Sequence, residues 1–387
     1  MDSDQCGAEE AVSMARLCVY STRYNQRGDH METEALMGRK VFVTGATGFI
    51  GRRLVTSLLD TGAEVTVLLR SRAGAKDLPD GVRTVIADMA DGTALTQHLT
   101  EQDILFNLAY DVRASASTNL SSFDTLLASA AAAGIGRIVH TSSIVVYDGW
   151  PNDDLTEGSS MDLPGGSPYR QAKIAMEKRL LAAPMAAAIL QPTIVYGPGS
   201  SLWTDGFATA LAEGGVVLPT PEGVCNGVFV DDVVQACLRA ATLPDLGRER
   251  FIISGPDTFP WSALLQGYAA IMGQGEVKHV PVAELAAGLG PKPQEGATDA
   301  GPSLAARISS VARKLIGHKR FEALVRSIKS RLSKGGMLMP NHHLLEEYCG
   351  KGLCRIDHAK SRLGYAPAFD LERGLDASAD HLKKLLR

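Results

Sequence analysis

The sequence predicts an α/β fold built on a doubly wound parallel sheet, with a smaller, interleaved C-terminal lobe. Three observations predict it. Short apolar runs alternate with helical patterns across residues 41–148, and the connections between them are short. The first run leads through a turn of regularly spaced glycines into a helical pattern. At 387 residues the chain is long enough to bury a large core and to hold two lobes.

The predicted strands are largely apolar, as strands buried on both faces of a sheet require. They are VFV (41–43), AEVTVLLRSR (63–72), RTVIADMAD (83–91), DILFNLAYD (103–111) and RIVHTSSIVVYD (137–148). An alanine-rich helix is predicted for residues 117–133, between the last two strands. The run FIIS, residues 251–254, is predicted to return to the same sheet.

Three glycines stand between the first strand and its helix, and they predict a dinucleotide site. Gly45 permits a tight turn, Gly48 lets the backbone approach a pyrophosphate, and Gly51 lets the helix pack on the strand. The helix start also offers free N–H groups and a partial positive charge to the phosphates. Together with later strand ends, the predicted contacts are Gly45, Thr47, Gly48, Phe49, Ile50, Gly51, Asp88, Met89, Leu108, Ala109 and Pro192.

The end of the second strand bears on which nicotinamide cofactor is bound. In dinucleotide folds an acid about 20 residues past the glycines holds the ribose 2′-hydroxyl. This chain has Arg70 there, with Arg72 close by. Because a guanidinium matches a 2′-phosphate in charge and hydrogen-bond geometry, the sequence favours NADP, with NAD as the alternative.

Several motifs follow the glycine turn in a fixed order. HTSSIVVYD contains Ser143, and SPYRQAK contains Tyr169 and Lys173. QPTIVYGPG (191–199), VFVDDVV and IDHAKSRLGYAP (356–367) come later. With TGATGFIG, they resemble the motifs of the extended short-chain dehydrogenase/reductases, in the NAD-dependent epimerase/dehydratase family. Gln191 replaces the usual arginine and Phe229 the usual histidine. The resemblance covers residues 38–260 and 350–387.

The resemblance assigns Ser143, Tyr169 and Lys173 as catalytic residues, and their chemistry can be argued from the spacing. Residues four apart share a helix face, so Lys173 is expected beside Tyr169. A tyrosine pKa near 10 is too high for a good base, and a nearby ammonium favours the phenolate. Tyr169 would then exchange a proton with the substrate oxygen, while Ser143 holds that oxygen in line. The resemblance also implies that Lys173 binds the nicotinamide ribose.

Three functions remain open. The first is an NAD(P)-dependent epimerase or oxidoreductase of a nucleotide-linked sugar. The second is a dehydrogenase or reductase of a hydrophobic alcohol or ketone, of the sterol or flavonoid kind. The third is a non-catalytic NADP-binding sensor or assembly factor. Sugar dehydratases of the family usually carry an Asp-Glu pair directly after the catalytic serine. Ile144 and Val145 stand there and cannot move a proton, so a dehydratase is disfavoured.

The composition of the chain limits the kinds of ligand and partner that are expected. The net charge of −4 gives no basic excess for nucleic acid, so a small-molecule substrate is expected. The six cysteines form no CxxC pair and no cluster with zinc-ligand spacing, so no metal site is predicted. Reduced thiols indicate a cytoplasmic protein, and no apolar run reaches the length of a membrane span.

The predicted domain organisation places a disordered tail at residues 1–37, with Met1, Met31 and Met37 as possible starts. A Rossmann-type NAD(P)-binding domain covers 38–196, with 228–256 returning to it. The substrate lobe takes 197–227 and 257–387. Within it, residues 302–334 are predicted to form two basic amphipathic helices, either packed on the core or in peripheral contact with a membrane. The resemblance also suggests a homodimer.

Overall fold

The computed structural model describes residues 35–290 and 336–386. Most of the predicted tail 1–37, including Met1 and Met31, lies outside the described residues, as does the whole basic segment 302–334. Within the described ranges, no helix is both long enough and apolar enough to cross a membrane. In the same ranges, no group of three or more histidine, cysteine or acidic side chains is placed to hold a metal ion.

The main sheet confirms the predicted doubly wound parallel architecture. Its seven strands are all parallel and lie in the order β11-β6-β5-β4-β1-β2-β3. They are β1 (Lys40–Thr44), β2 (Glu64–Leu69), β3 (Arg83–Ile86), β4 (Ile104–Asn107), β5 (Arg137–Thr141), β6 (Ala186–Pro192) and β11 (Arg248–Ile253). The order reverses between β1 and β4, and ligands of such sheets bind in the crevice at that point.

Four of the strands end earlier than the sequence predicts. Strand β2 ends at Leu69, β3 at Ile86, β4 at Asn107 and β5 at Thr141. The residues expected in the carboxyl ends of these strands lie in turns instead, and Ile144–Val146 form a short 3₁₀ turn. The physical reason is that the chain leaves the sheet here and forms loops at the carboxyl ends of the strands, where ligands of such sheets bind.

Ten described helices accompany the strands. They are α1 (Phe49–Asp60), α2 (Gly92–Leu99), α3 (Ala116–Ala132), α4 (Pro168–Ala182), α5 (Asp205–Glu213), α6 (Val230–Thr242), α7 (Trp261–Met272), α8 (Val282–Leu289), α9 (His342–Cys349) and α10 (Leu371–Lys384). One apolar cluster, with Val43 and Leu54, packs on one face of the sheet. Another, with Phe42 and Phe123, packs on the opposite face. Alternate side chains of β1 thus enter both layers, as a central parallel strand requires.

Among the described residues, three two-stranded sheets lie outside the main sheet. The C-terminal lobe has its own core, which also contains Ile194, Tyr196 and Phe229 from ranges predicted for the main domain. The remaining strands are β7 (Ile194–Tyr196), β8 (Gly215–Thr220), β9 (Val224–Cys225), β10 (Gly227–Phe229), β12 (Phe259–Pro260) and β13 (Glu276–Pro281). They pair as β10 with β7, β12 with β9, and β13 with β8. The core is aromatic: Trp203 packs against Phe207 and Trp261, and Tyr348 packs against both of these.

A buried carboxyl group joins this lobe to the main one. The Trp150 indole, in the loop that follows the Ser143 turn, donates a 2.8 Å hydrogen bond to Oε1 of Glu347 in α9. Oε2 of Glu347 is buried without a hydrogen-bond partner among the described residues. Burial raises the pKa of Glu347 to about 7, although the bond from Trp150 opposes this. The free energy of unfolding is therefore highest below about pH 4.5, where Glu347 is protonated in both the folded and the unfolded state. It falls as the pH rises through 7, because the folded protein then has to bury the charged form.

Replacing Glu347 with glutamine should remove this pH dependence, because the amide oxygen still accepts the bond from Trp150 and carries no charge. We expect the free energy of unfolding to be higher in Glu347→Gln than in wild type at pH 8, by up to about 3 kcal/mol. Denaturant unfolding between pH 4.5 and 8.5 measures it. The exposed neighbour Glu346→Gln is the control, with a small change expected. Parallel pH profiles for Glu347→Gln and wild type would contradict the account.

Candidate active site

The glycine turn is shaped to receive a pyrophosphate. Gly45 has φ +74°, which favours glycine, and a Cβ there would lie 2.7 Å from the Leu108 carbonyl carbon and 2.8 Å from the Ala109 nitrogen. A Cβ at Gly51 would lie 2.1 Å from the Gly45 carbonyl oxygen. Glycine at these two positions is therefore needed for the strands and helix to meet.

Gly48 differs from the other two glycines. A Cβ there would meet only the Gly45 carbonyl oxygen, at 3.1 Å, so the surrounding space is open. Gly48 is the N-cap of α1, where no side chain caps the helix and no acid lies in the first turn. The first N–H groups of the helix are thus free to bind an anion. The residues present fit a dinucleotide pyrophosphate.

The two arginines predicted to bind the 2′-phosphate of the ribose follow β2, at the carboxyl ends of the strands. The Arg70 guanidinium is 73% exposed and forms an ion pair of 2.5 Å with Asp111, in the loop after β4. Arg72 begins a 3₁₀ turn, and no described group forms a hydrogen bond or ion pair with it. The same turn packs on the glycine loop, since a Cβ at Gly74 would lie 3.3 Å from Cγ2 of Thr47. The turn that begins at Arg72 therefore borders the glycine loop, whereas Arg70 lies beside the loop after β4.

Local sequence fixes the start of α4, which carries the predicted acid/base. Ser167 is the N-cap and accepts a hydrogen bond from the Arg170 N–H, and proline occupies the first helical position. Tyr169 follows in the first turn. The Arg170 guanidinium donates to the carbonyls of Val145 and Val146 and pairs with Asp148. This side chain ties the start of α4 to the turn that begins at Ser143.

The structure brings the three predicted catalytic residues together. Ser143 lies close enough to Tyr169 for its hydroxyl to lower the pKa of the tyrosine, and the same hydroxyl accepts the Val145 N–H at 3.4 Å. Nζ of Lys173 lies 5.8 Å from the Tyr169 ring centre and donates a 2.8 Å bond to the Thr141 carbonyl, at the end of β5. An ammonium has three donors, and this is the one bond that the described residues give it. The other donors remain for a ligand.

The expected direction of the tyrosine pKa shift is wrong for the protein alone. Burial raises the pKa of Tyr169 to about 12, although the nearby Ser143 hydroxyl opposes this effect. Burial also lowers the pKa of Lys173 to about 8, an effect that the Glu177 carboxylate opposes. Taking Tyr169 out of water disfavours the phenolate more than its neighbours favour it. At neutral pH, Tyr169 therefore holds its proton.

One residue of the site, Tyr110, was missed by the sequence analysis. It lies in the loop after β4, and its ring packs edge-on against Tyr169 with centres 4.9 Å apart. Nζ of Lys173 lies 5.2 Å from the same ring. Its position directly after the predicted contacts Leu108 and Ala109 was the available signal.

The remaining predicted contacts lie along the same edge of the sheet. Leu108 donates its N–H to the Thr44 carbonyl, beside the glycine turn. Asp88 is exposed and accepts the Ala90 N–H, so its carboxylate is partly engaged. Pro192 is buried at the carboxyl end of β6. Phe49 and Ile50 both pack against the core of the C-terminal lobe, so the glycine helix also touches that lobe.

The comparison with known families agrees with the geometry. The model of the NAD dependent epimerase/dehydratase family matches residues 41–254, more than half of the chain. The chain belongs to this family. Its recognition from the sequence motifs is thus confirmed, as is the prediction of an enzyme of the extended short-chain dehydrogenase/reductase type.

Individual relatives differ in their reactions. The chain is 28% identical over 191 residues to a 2-alkyl-3-oxoalkanoate reductase of Stenotrophomonas maltophilia, covering 45% of this chain and 56% of the relative. It is 32% identical over 240 residues to a UDP-glucose 4-epimerase of Mycolicibacterium smegmatis, covering 55% and 76%. Among solved structures, an epimerase of Methanothermobacter thermautotrophicus superimposes with a TM-score of 0.67 at 17% identity, over 92% of this chain and 96% of that one. This last likeness shows the fold alone.

Proposed function

We propose that this protein is an NADP(H)-dependent reductase of an apolar ketone, with Tyr169 as the proton donor. The observation that carries the proposal is a pair of exposed apolar side chains in two loops, one of which contacts Tyr169 and the other its neighbour Arg170. Val112 is 82% exposed, two residues past Tyr110, whose ring packs on Tyr169. Leu163 is 61% exposed in the loop before α4, and its carbonyl accepts a bond from Arg170. Apolar side chains exposed beside a reactive group favour an apolar ligand.

The arginines in the described part of the C-terminal lobe support the same choice. A sugar nucleotide carries a diphosphate, which proteins commonly bind with forked arginine contacts. The segments 197–227 and 257–290 contain no arginine. In the described segment 336–386, each arginine is engaged with the protein itself: Arg355 with Asp154, Arg362 with Glu249, and Arg373 with the Ala368 carbonyl. The 2-alkyl-3-oxoalkanoate reductase relative acts, by its name, on an alkyl-substituted keto acid.

An epimerase of a nucleotide-linked sugar is the second candidate. It rests on the 32% identity with a UDP-glucose 4-epimerase, a higher identity than that with the reductase. The two functions differ in whether cofactor is consumed. A reductase oxidises one NADPH for each product, whereas an epimerase returns the hydride to its substrate and consumes none. The non-catalytic alternative is disfavoured by the intact grouping of Ser143, Tyr169 and Lys173.

The chain's own residues account for the proton step of a reduction. When bound, the nicotinamide cofactor supplies the hydride. Tyr169 keeps its proton at neutral pH, because its pKa is about 12, and is thus ready to give it to the carbonyl oxygen of the substrate. Ser143 would hydrogen-bond the same oxygen. Lys173 would hold the ribose with the donors that Thr141 leaves free. A cytoplasmic location and a homodimer remain parts of this proposal.

The cofactor preference gives a direct prediction for Arg70 and Arg72. Removing both guanidinium groups should weaken NADPH binding by about tenfold or more and leave NADH binding nearly unchanged, because only NADPH carries the 2′-phosphate. Fluorescence titration of Arg70→Ala/Arg72→Ala with each cofactor measures it. Asp111→Asn is the matched control, since it frees Arg70 from its ion pair and should keep or strengthen NADPH binding. Equal weakening of both cofactors would contradict the preference.

The experiment that tests the function is a substrate screen with the purified protein. NADPH consumption is followed with long-chain β-keto acids and aryl or alkyl ketones, beside UDP-glucose and UDP-N-acetylglucosamine. The proposal expects stoichiometric NADPH oxidation with at least one apolar ketone and none with the sugar nucleotides. Interconversion of sugar epimers without net NADPH consumption would establish the second candidate instead.

A further inference from the structure

A carboxylate with no exposed surface lies one helical turn beyond Lys173. Glu177 is in α4, is 0% exposed, and accepts hydrogen bonds from three side chains. The Ser142 hydroxyl donates to Oε1. The Gln191 amide donates to both oxygens, at 3.0 and 3.1 Å. Arg250 donates from Nε to Oε2 at 2.7 Å, as an ion pair.

These donors come from three separate strands or strand ends, so the network depends on tertiary structure. Ser142 follows β5, Gln191 lies in β6, and Arg250 lies in the edge strand β11. Gln191 and Arg250 are not opposite each other, since Ile252 is the partner of Gln191 in the sheet. At 191, where the family usually has arginine, this chain has a neutral amide. The one positive charge bonded to Glu177 comes instead from the neighbouring strand.

The network touches both ends of the catalytic grouping. Ser142 directly precedes Ser143, so its bond to Glu177 fixes the turn that presents the Ser143 hydroxyl. On the other side, burial lowers the pKa of the Lys173 ammonium, and the negative charge of Glu177 opposes this decrease. The Tyr147 hydroxyl donates to Oε1 of Gln191 at 2.7 Å, which sets the orientation of the amide. The side chains of Ser142, Lys173, Glu177, Gln191 and Tyr147 are buried, so solvent screens their interactions weakly.

The charges and titratable groups around Lys173 come from several elements. His140 in β5 is fully buried, and burial holds its pKa well below the usual value, so it is neutral. Tyr110 and Tyr169 are also neutral at pH 7, since burial raises the pKa of each. Glu157 accepts the Ile252 N–H near Tyr147. Glu177 therefore provides the negative charge that acts on Lys173 from its own helix, and Arg250 is the cation that compensates it.

We propose that Glu177, Gln191 and Arg250 form a positioning network for Lys173 and Ser143, with Arg250 supplying from the edge strand the charge that a neutral residue 191 does not. The network rests on the proposed function in that Lys173 is taken to bind the cofactor ribose. Its three members are positioning residues, because none touches the reacting atoms. Residues 191 and 250 are therefore interdependent. The network requires one cation at these two positions, and a second buried cation would destabilise the fold.

The test is the pH dependence of NADPH affinity between pH 7 and 10, followed by fluorescence titration without substrate. In wild type, affinity should fall as Lys173 loses its proton, with a midpoint near its pKa of about 8. Arg250→Gln leaves Glu177 uncompensated and should move the midpoint up by about one pH unit, whereas Glu177→Gln should move it down by about as much. Arg250→Lys keeps the charge and should keep the midpoint. A purely structural role would change stability and leave the midpoint in place.

A charge exchange provides the rescue. Gln191→Arg adds a second buried cation and should lower both stability and NADPH affinity. Because arginine cannot accept the bond from Tyr147, the exchange is made in a Tyr147→Phe background. Gln191→Arg/Arg250→Gln should recover most of the free energy of unfolding that either single change loses in that background.

The outcomes separate the network from the proposed function. Unmoved midpoints in folded Arg250→Gln and Glu177→Gln, or stability losses that simply add in the exchange, would overturn the network. If Glu177→Gln does not fold, the Arg250 pair of variants decides, since the Arg250 side chain is 20% exposed. Failure of every apolar ketone in the substrate screen would overturn the function and leave the NADPH profiles as they are.

Discussion

Replacing Tyr169 with phenylalanine should lower the rate of ketone reduction by about 10²–10⁴-fold, the usual contribution of a positioned acid or base. The change removes one oxygen and little volume, and the ring keeps its edge-on contact with Tyr110. NADPH affinity should therefore stay near the wild-type value. The measurement is single-turnover NADPH oxidation beside a fluorescence titration of the cofactor.

Tyr110→Phe is the matched control for this change. It removes the same atom from the ring that packs against Tyr169, but from a hydroxyl to which the proposal gives no proton transfer. We expect its rate within about threefold of wild type, as for a change that leaves the acid in place. Near-normal turnover of Tyr169→Phe would show that another group donates the proton.

Adding a methyl group at Gly48 should abolish most cofactor binding and leave the fold intact. The added Cβ meets only one atom of the protein, at 3.1 Å, but stands at the uncapped start of α1, where the pyrophosphate would approach. NADPH affinity should fall by about tenfold or more, and the melting temperature without cofactor should change little. Calorimetric titration and thermal unfolding give the two quantities.

Gly51→Ala provides the contrast, because its Cβ would lie 2.1 Å from the Gly45 carbonyl oxygen. Backbone atoms cannot yield as a side chain does, so this variant should unfold at a clearly lower temperature even without cofactor. If Gly48→Ala bound NADPH as wild type does, the glycine turn would not be the pyrophosphate site.

The sheet was predictable because its signals are local. Apolar runs such as 41–43 and a glycine turn specify strand, turn and helix within about 20 residues. The spacing of Tyr169 and Lys173 places both on one helical face, and family motifs supplied Ser143. The predicted strands extended too far at their carboxyl ends. Asp88 and Asp111 follow apolar residues, so the apolar pattern continues after the chain has left the sheet.

What the sequence did not reveal depends on distant residues and on burial. Arg250 is 73 positions from Glu177, and no spacing rule connects them. Glu177 itself was visible as an acid one turn after Lys173, but its burial was not. The same limit explains the tyrosine pKa: counting charged neighbours predicts a decrease, whereas removal from water, which only the folded chain shows, raises it to about 12.

The most direct test of the central claim follows the hydride itself. NADPH that carries deuterium in both positions at C4 of the nicotinamide is mixed with the protein and the apolar ketones of the screen, and the products are analysed by mass spectrometry. The account predicts an alcohol that carries one deuterium at the former carbonyl carbon, formed by wild type and nearly absent with Tyr169→Phe. Unlabelled ketones throughout, together with epimerisation of a UDP-hexose by the same preparation, would contradict it.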